Sequence, residues 1–289
     1  MFHAKAPRET AKTRNSLCRL ALLLASWREI KLQTIKSVAL NRTASIKSKE
    51  KTTPTNLFED RYLLARRKEN RMYHDEEVKL LPEIDALHPH YKEWQVRKKS
   101  GIKLYRYLLA KHRPLNIFEA GCGNGWLSHQ LSAIPGSSIT ASDLNLAELQ
   151  QAARVFSNIS NIKFVYGDSS TILKGNNEYD IIIFAASIQY FSNLSEILKI
   201  ALSHLSEGGE IHIVDSHFYT IKNLAAAKKA TVDYYNELGF PEMAYHYFHH
   251  SIESLHSFPR RFLYNPASFT HRLFLGKHPF PWVCIKKQD

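Results

Sequence analysis

The sequence predicts a layered α/β domain built on a mostly parallel sheet, and three observations carry that expectation. Strand-like and helix-like segments alternate between residues 115 and 215. The segment Tyr179–Ala185 is apolar almost throughout, as a strand buried on both faces must be. A glycine-rich turn, Gly121-Cys122-Gly123-Asn124-Gly125, joins an apolar strand to a helix.

The elements follow in order. A helix is expected over 91–112, where Trp94, Ile102, Tyr105, Leu108 and Leu109 share a face and Pro114 ends it. Strands are expected over 116–120, 138–142, 162–166 and 179–185, with a helix over 144–156. A helix over 194–205 reads as ended by Ser206-Glu207-Gly208-Gly209, a glycine C-cap signal, before a strand over 210–215. Beyond Asp215 the pattern loosens. A helix over 223–238 precedes the aromatic-histidine run 245–250, and segments 260–264 and 282–286 read as a closing strand pair around a helix over 266–275.

The N-terminal part differs in kind. The chain has 289 residues and a formal net charge of +12. Residues 1–51 hold twelve Lys/Arg against three acids, so nine of those charges lie there. Residues 1–71 read as a basic, poorly structured extension, either a targeting segment or the product of a misassigned start before Met72. Residues 57–72 are charged and helix-compatible, and 52–55 read as a linker. The domain proper is expected over 72–289, with a substrate-side insert at about 217–255. Cys18, Cys122 and Cys284 are too few and too scattered for a disulfide framework or a zinc site, so no metal is expected and a cytoplasmic location is. No apolar run approaches the ~18 residues of a membrane span.

Four chemical features fall at the ends of the expected strands, where open α/β sheets take their ligands. The first is Glu119 with the glycine turn. Its spacing is G-x-G-x-G, and Trp126 stands where nicotinamide and flavin binders place a third glycine, which points to a nucleoside ligand without a pyrophosphate. The second is Asp143, an acid at the ribose-binding distance from the turn. The alternative role for Asp143 is an N-cap of the following helix. The third is Gly167-Asp168, suited to an exocyclic amine or to an ordinary turn. The fourth is Ala185-Ala186-Ser187-Ile188-Gln189-Tyr190-Phe191 after the fourth strand.

This ordered set resembles the class I S-adenosylmethionine-dependent methyltransferases over residues 91–215 and onward. The resemblance implies a Rossmann-like seven-stranded, mostly parallel sheet of order 3-2-1-4-5-7-6, with helices on both faces. It also implies S-adenosyl-L-methionine as cofactor. Gly121, Gly123 and Gly125 would pass beneath its methionine part, Glu119 would anchor its amino group and Asp143 its ribose. Asp168 and Ser169 would meet the adenine, while Ser187 and Gln189 would border the methyl. Segment 91–97 would help cover the ligand. Base candidates are His217, Tyr219 and His246, with His249 behind them; His246, His249 and His250 read as a cover over the cleft rather than a metal set. The expected acceptor is a small molecule. RNA or protein is the alternative because of the basic arm, followed by aminopropyl transfer and by an inactive cofactor- or partner-binding module.

Overall fold

The computed structural model describes residues 55–175 and 177–287. The helices are α1 (Thr55–Lys68), α2 (Asp75–Leu80), α3 (Tyr91–Leu109), α4 (Trp126–Leu131), α5 (Leu146–Val155), α6 (Ser169–Leu173), α7 (Leu194–Ser203), α8 (Ile221–Leu238) and α9 (Phe269–Phe274). The strands are β1 (Asn116–Ala120), β2 (Ser138–Asp143), β3 (Ile162–Tyr166), β4 (Tyr179–Ala185), β5 (Leu205–Val214), β6 (Arg260–Tyr264) and β7 (Trp282–Lys286). They form one sheet of order β3-β2-β1-β4-β5-β7-β6, as expected. The first five run parallel, and β7 pairs antiparallel with both β5 and β6.

Alternation along the strands sends successive residues to two cores. Ile117, Ile139, Ala141, Ile181 and Ile183 pack with Leu104 and Leu108 of α3, Leu127 and Leu131 of α4, and Leu149 of α5. Phe118, Ile182, Phe184, Ile211 and Ile213 pack with Leu173 of α6, Ile197, Leu198 and Ala201 of α7, and Val283 and Ile285 of β7. Helices on both faces leave the strand ends as the place for a ligand.

Two boundaries differ from expectation. α7 stops at Ser203, and the Ser206-Glu207-Gly208-Gly209 segment belongs to β5, not to a helix cap. Tyr179 pairs with Leu205 and Ile181 with Glu210, so the intervening β5 residues bulge, with Gly208 at φ +66° supplying the bend. The extension expected over 1–71 also ends earlier. α1 packs on the domain through Ala65, which shares a small apolar cluster with Tyr235 of α8 and Met243, flanked by Phe58 and Tyr62. Residues 1–54, with most of the linker expected over 52–55, lie outside the described residues.

Candidate functional site

A cavity of about 280 Å3 opens at the C-terminal ends of β1, β2 and β4. Its floor is the glycine turn. Gly121 and Cys122 N–H groups donate to Ser142 O at 2.8 and 3.0 Å, tying the turn across the end of β2. Gly123 N–H donates to Asp143 Oδ2 at 2.6 Å. Gly121 and Gly123 have φ of +76° and +52°, conformations that a Cβ disfavours. A Cβ on Gly121 would lie 2.6 Å from Ser187 Cβ, whereas one on Gly123 would meet nothing nearer than Glu148 Oε2 at 3.8 Å. Gly123 is therefore bare backbone facing open space.

Three acids surround that space. Glu119, at the end of β1, is buried and accepts from the Ser128 hydroxyl of α4. Burial, with Asp143 nearby, raises its carboxyl to about 8, and among the described residues it has no ion-pair partner. Glu148 rises to about 7, through burial and then the neighbouring Asp143. Burial also pushes Asp143 up, while backbone N–H groups of Asn145 and Gly123 pull it back. Each Asp143 oxygen takes a backbone N–H, Oδ1 from Asn145 at 2.7 Å and Oδ2 from Gly123, and each keeps acceptor capacity for a hydroxyl. The helix after β2 is capped by Asn145, whose side chain accepts from Glu148 N, so Asp143 is released from the capping role.

The structure brings most of the anticipated residues together. Glu119, Gly121, Gly123, Asp143, Asp168, Ser169, Ser187 and His246 all line the cavity. Asp168 is also the N-cap of α6, using Oδ1 on Thr171 N at 3.0 Å. Ser169 Oγ lies 2.7 Å from Ser142 Oγ, and Ser187 Oγ donates to Ala120 O at 2.6 Å, so both hydroxyls brace the walls. Ala186, at φ +52°, turns the chain sharply after β4 into the cavity rim.

Four expected site residues lie elsewhere. Gly125 caps α4 at φ +74°, and a Cβ there would meet Phe164 at 2.8 Å and Ala152 at 3.0 Å; its lack of a side chain serves packing, not a ligand. Gln189 turns back, donating to Ala186 O at 2.6 Å and accepting from Ser216. His217 packs its ring edge on Phe280 at 4.6 Å, and Tyr219 bridges to Ser251, both away from the cavity lining.

Several lining residues carried no sequence signal of their own. α1 contributes Phe58, Glu59, Tyr62 and Arg66. α3 contributes Glu93, Trp94 and Arg97, part of the segment expected to cover a ligand. Trp94 packs edge-on against Trp126, with centroids 5.4 Å apart, and Gly101 makes room for the second indole: a Cβ there would lie 3.1 Å from its ring. Glu93 binds Arg71 at 2.7 Å and Arg97 at 2.9 Å, and those two guanidiniums hold its carboxyl down at about 2 despite burial.

The histidines at 246–250 diverge. His246 stacks near Phe58 at 4.6 Å, His249 Nε2 lies 2.9 Å from Thr231 Oγ1, and His250 Nε2 lies 3.1 Å from Ile188 O. Among the described residues, Glu210, His212 and Cys284 do cluster with ligand-type atoms. That carboxylate is already matched by Lys111 at 2.8 Å and Lys286 at 3.1 Å, so the cluster reads as an ion-pair anchor. Cys122 is buried, and burial beside Asp143 and Glu119 keeps it a thiol, unsuited to nucleophilic work.

Residues 117–209 match the family model for a methyltransferase domain. Curated relatives include a malonyl-[acyl-carrier protein] O-methyltransferase of Bacillus cereus, 35% identical over 119 residues, covering 39% of this chain and 43% of that protein. The counterpart from Halalkalibacterium halodurans is 31% identical over 123 residues, covering 39% and 45%. The chain thus spans less than half the length of the curated relatives it matches. Among solved structures, the plantazolicin methyltransferase BpumL in complex with SAH superposes with a TM-score of 0.50 at 17% identity, over 81% of this chain and 98% of that one. That likeness is one of fold.

Proposed function

The chain belongs to the class I S-adenosylmethionine-dependent methyltransferases, and on that premise we propose that it transfers a methyl group from S-adenosylmethionine to an O, N or C nucleophile of a small molecule. The observation that carries the reading is the open Gly123 backbone within a ring of buried acids, of which Glu119 has no cationic partner among the described residues. A ligand bearing both an ammonium and vicinal hydroxyls fits that ring. The ammonium would hold Glu119 ionised, and the hydroxyls would take the spare acceptor capacity of Asp143. Asp168 keeps Oδ2 for an exocyclic amine beside Ser169.

The cofactor, when bound, supplies a methyl already activated by its sulfonium. The protein's work is then to place the acceptor in line and to receive a proton where the nucleophile carries one. Of the three anticipated bases, His246 is the one at the cavity wall, and it is the proton acceptor in this reading. Phe58 packs against it at 4.6 Å, and Tyr62, Tyr190 and Phe191 line the same cavity. A small acceptor is supported by a cavity of about 280 Å3 with α1 and α3 among its walls. The curated relatives act on an acyl-carrier protein, so a carrier-linked acyl group is a second acceptor class. RNA or protein as acceptor rests on residues 1–54, outside the described chain. A cytoplasmic location belongs to the same proposal, supported by the buried free thiols Cys122 and Cys284. No described helix is long and apolar enough to cross a membrane.

Calorimetry with S-adenosylhomocysteine tests the cofactor, and transfer of a radiolabelled methyl into fractionated extract tests the acceptor. Label in the low-molecular-mass fraction is the expected result. No binding of S-adenosylhomocysteine, or label confined to macromolecules, overturns the reading.

A further inference from the structure

We propose that the acceptor end of the cavity selects a small molecule carrying a carboxylate, and that Arg66 receives it. The proposal rests on the methyltransferase reading and adds to it the class of acceptor.

Arg66 stands in the last turn of α1 and lines the cavity. Its guanidinium lies over the Tyr62 ring at 4.8 Å. Tyr62 is 6.0 Å from Phe58 and 6.1 Å, edge-on, from Tyr190; Phe58 continues to His246 at 4.6 Å. Tyr190 lies three residues past Ser187, at the strand end where the methyl is expected. The row of rings is thus an apolar slot with one cation at its edge.

Hydrogen-bond accounting shows what that cation lacks. A guanidinium has five N–H donors. Among the described residues, Arg66 has one acceptor, Glu69 Oε2, at 3.3 Å. That oxygen also faces Arg71 Nε at 3.3 Å, and the other Glu69 oxygen takes the Tyr234 hydroxyl. Charge-assisted contacts of full strength are nearer 2.7–2.9 Å, as Arg71 and Arg97 achieve on Glu93. Three guanidiniums therefore share two carboxylates, and Arg66 is the least satisfied.

Glu148 and Asp143 also act on Arg66, but among the described residues neither hydrogen-bonds to it. Glu59 accepts from Leu146 N and from the Tyr166 hydroxyl at 3.3 Å. Glu148, pushed up to about 7 by burial and Asp143, is only partly ionised near neutral pH. Burial keeps the Tyr62 hydroxyl protonated, a donor beside the same edge. A guanidinium with unused N–H donors in a planar fork, next to aromatic walls, suits a monoanionic, planar group on an apolar body.

The cofactor's own carboxylate is the competing occupant. Arg97 is better placed for it: its guanidinium lies over Trp94 at 5.4 Å, and Trp94 packs on Trp126, which follows the glycine turn directly. Arg66 stands by Tyr62 and Tyr190 and also acts on Asp143 and Glu148, so the S-adenosylhomocysteine affinity of its variants decides between the two occupants.

The test uses the full chain saturated with S-adenosylhomocysteine and titrated calorimetrically with phenylacetate, phenylacetamide and benzylphosphonate. Phenylacetate is expected to bind at least tenfold more tightly than phenylacetamide and more tightly than benzylphosphonate. Arg66→Met should erase the preference for the acid over the amide, and Arg66→Lys should restore part of it. S-adenosylhomocysteine affinity should stay within about twofold of wild type in both variants, which also reports that they fold. The proposal is overturned if acid and amide bind alike, if neither binds at millimolar concentration, or if the preference survives Arg66→Met. A tenfold loss of S-adenosylhomocysteine affinity in Arg66→Met with an unchanged melting temperature would assign the residue to the cofactor instead. Tighter binding of the phosphonate would replace the carboxylate. If the wild-type chain fails to bind S-adenosylhomocysteine, the methyltransferase reading fails, while the probe titrations on the ligand-free chain still decide the role of Arg66.

Discussion

Two glycines in one turn, two residues apart, should respond to alanine in opposite ways. Both have positive φ, so a Cβ at either carries the left-handed penalty of about 1–2 kcal/mol. At Gly125 the Cβ also collides with Phe164 at 2.8 Å and Ala152 at 3.0 Å, and overpacking a tight core adds about 1–3 kcal/mol. Gly125→Ala should therefore lose about 2–5 kcal/mol of stability. At Gly123 the nearest atom is Glu148 Oε2 at 3.8 Å, so Gly123→Ala should lose only the left-handed term. Its methyl group stands in the cavity, where it should weaken S-adenosylhomocysteine binding about tenfold or more, roughly 1.4 kcal/mol per decade. Urea unfolding monitored by tryptophan fluorescence gives the first quantity, and calorimetry on the folded variants the second. Wild-type cofactor affinity in Gly123→Ala, or equal destabilisation of the two variants, would refute the division of labour within the turn.

Other consequences follow from the buried charges. Asp143→Ala should weaken S-adenosylhomocysteine binding by about 1–3 kcal/mol, since it removes a charged hydrogen-bonding group, and calorimetry would show unchanged affinity if Asp143 only braces the turn. Glu119 has a carboxyl raised in the folded chain to about 8, so the folded state holds a proton that the unfolded state releases near its ordinary value. Stability of the ligand-free protein should therefore fall as pH rises from about 4.5 to 8, and Glu119→Gln should flatten that fall by roughly 3–5 kcal/mol. Equal melting-temperature profiles for the two proteins between pH 5 and 9 would contradict this. Glu210 is the opposite case: burial is outweighed by His212, Lys111 and Lys286, which hold its carboxyl well below the usual range. Its contribution is present above about pH 4.5 and lost as pH falls through the depressed value. Glu210→Ala should cost about 1–3 kcal/mol by removing a buried, hydrogen-bonded carboxylate while Lys111 and Lys286 turn to water, measured by urea unfolding, with S-adenosylhomocysteine affinity unchanged; a stability within about 0.5 kcal/mol of wild type would show the cluster is dispensable.

The parts of the molecule that were legible are those set by local period. Tyr179–Ala185 reads as a buried strand because nearly every residue faces one of two cores. Glu119 and Asp143 are legible because a strand end fixes where a side chain starts. Where that side chain goes next depends on packing that the local pattern does not carry. Gln189 has the right position but folds back on Ala186 O, and His217 turns to Phe280, which is distant in sequence. Gly208-Gly209 resembles a helix stop because a cap and a strand bulge both need a left-handed residue. The stretch of α1 reads as helix-compatible, but its packing is hidden: among its described side chains only Ala65 is buried, which gives no amphipathic stripe, and its charges blend into the basic segment before it.

The cavity is assembled from two stretches of chain under different constraints. Glu119, Gly123, Asp143, Asp168 and Ser187 fall within the family-matched segment 117–209, and each is wired to a strand end. Phe58, Tyr62, Arg66, Arg97 and His246 fall outside it. α1 packs in its own apolar cluster, outside the two cores that flank the sheet, so its inner face can change with those cores intact. A lineage could thus exchange one acceptor for another by rewriting a single helix while its methyl-donor machinery stayed intact. In the laboratory, the same seam makes residues 55–73 the natural unit to randomise when the aim is a new acceptor.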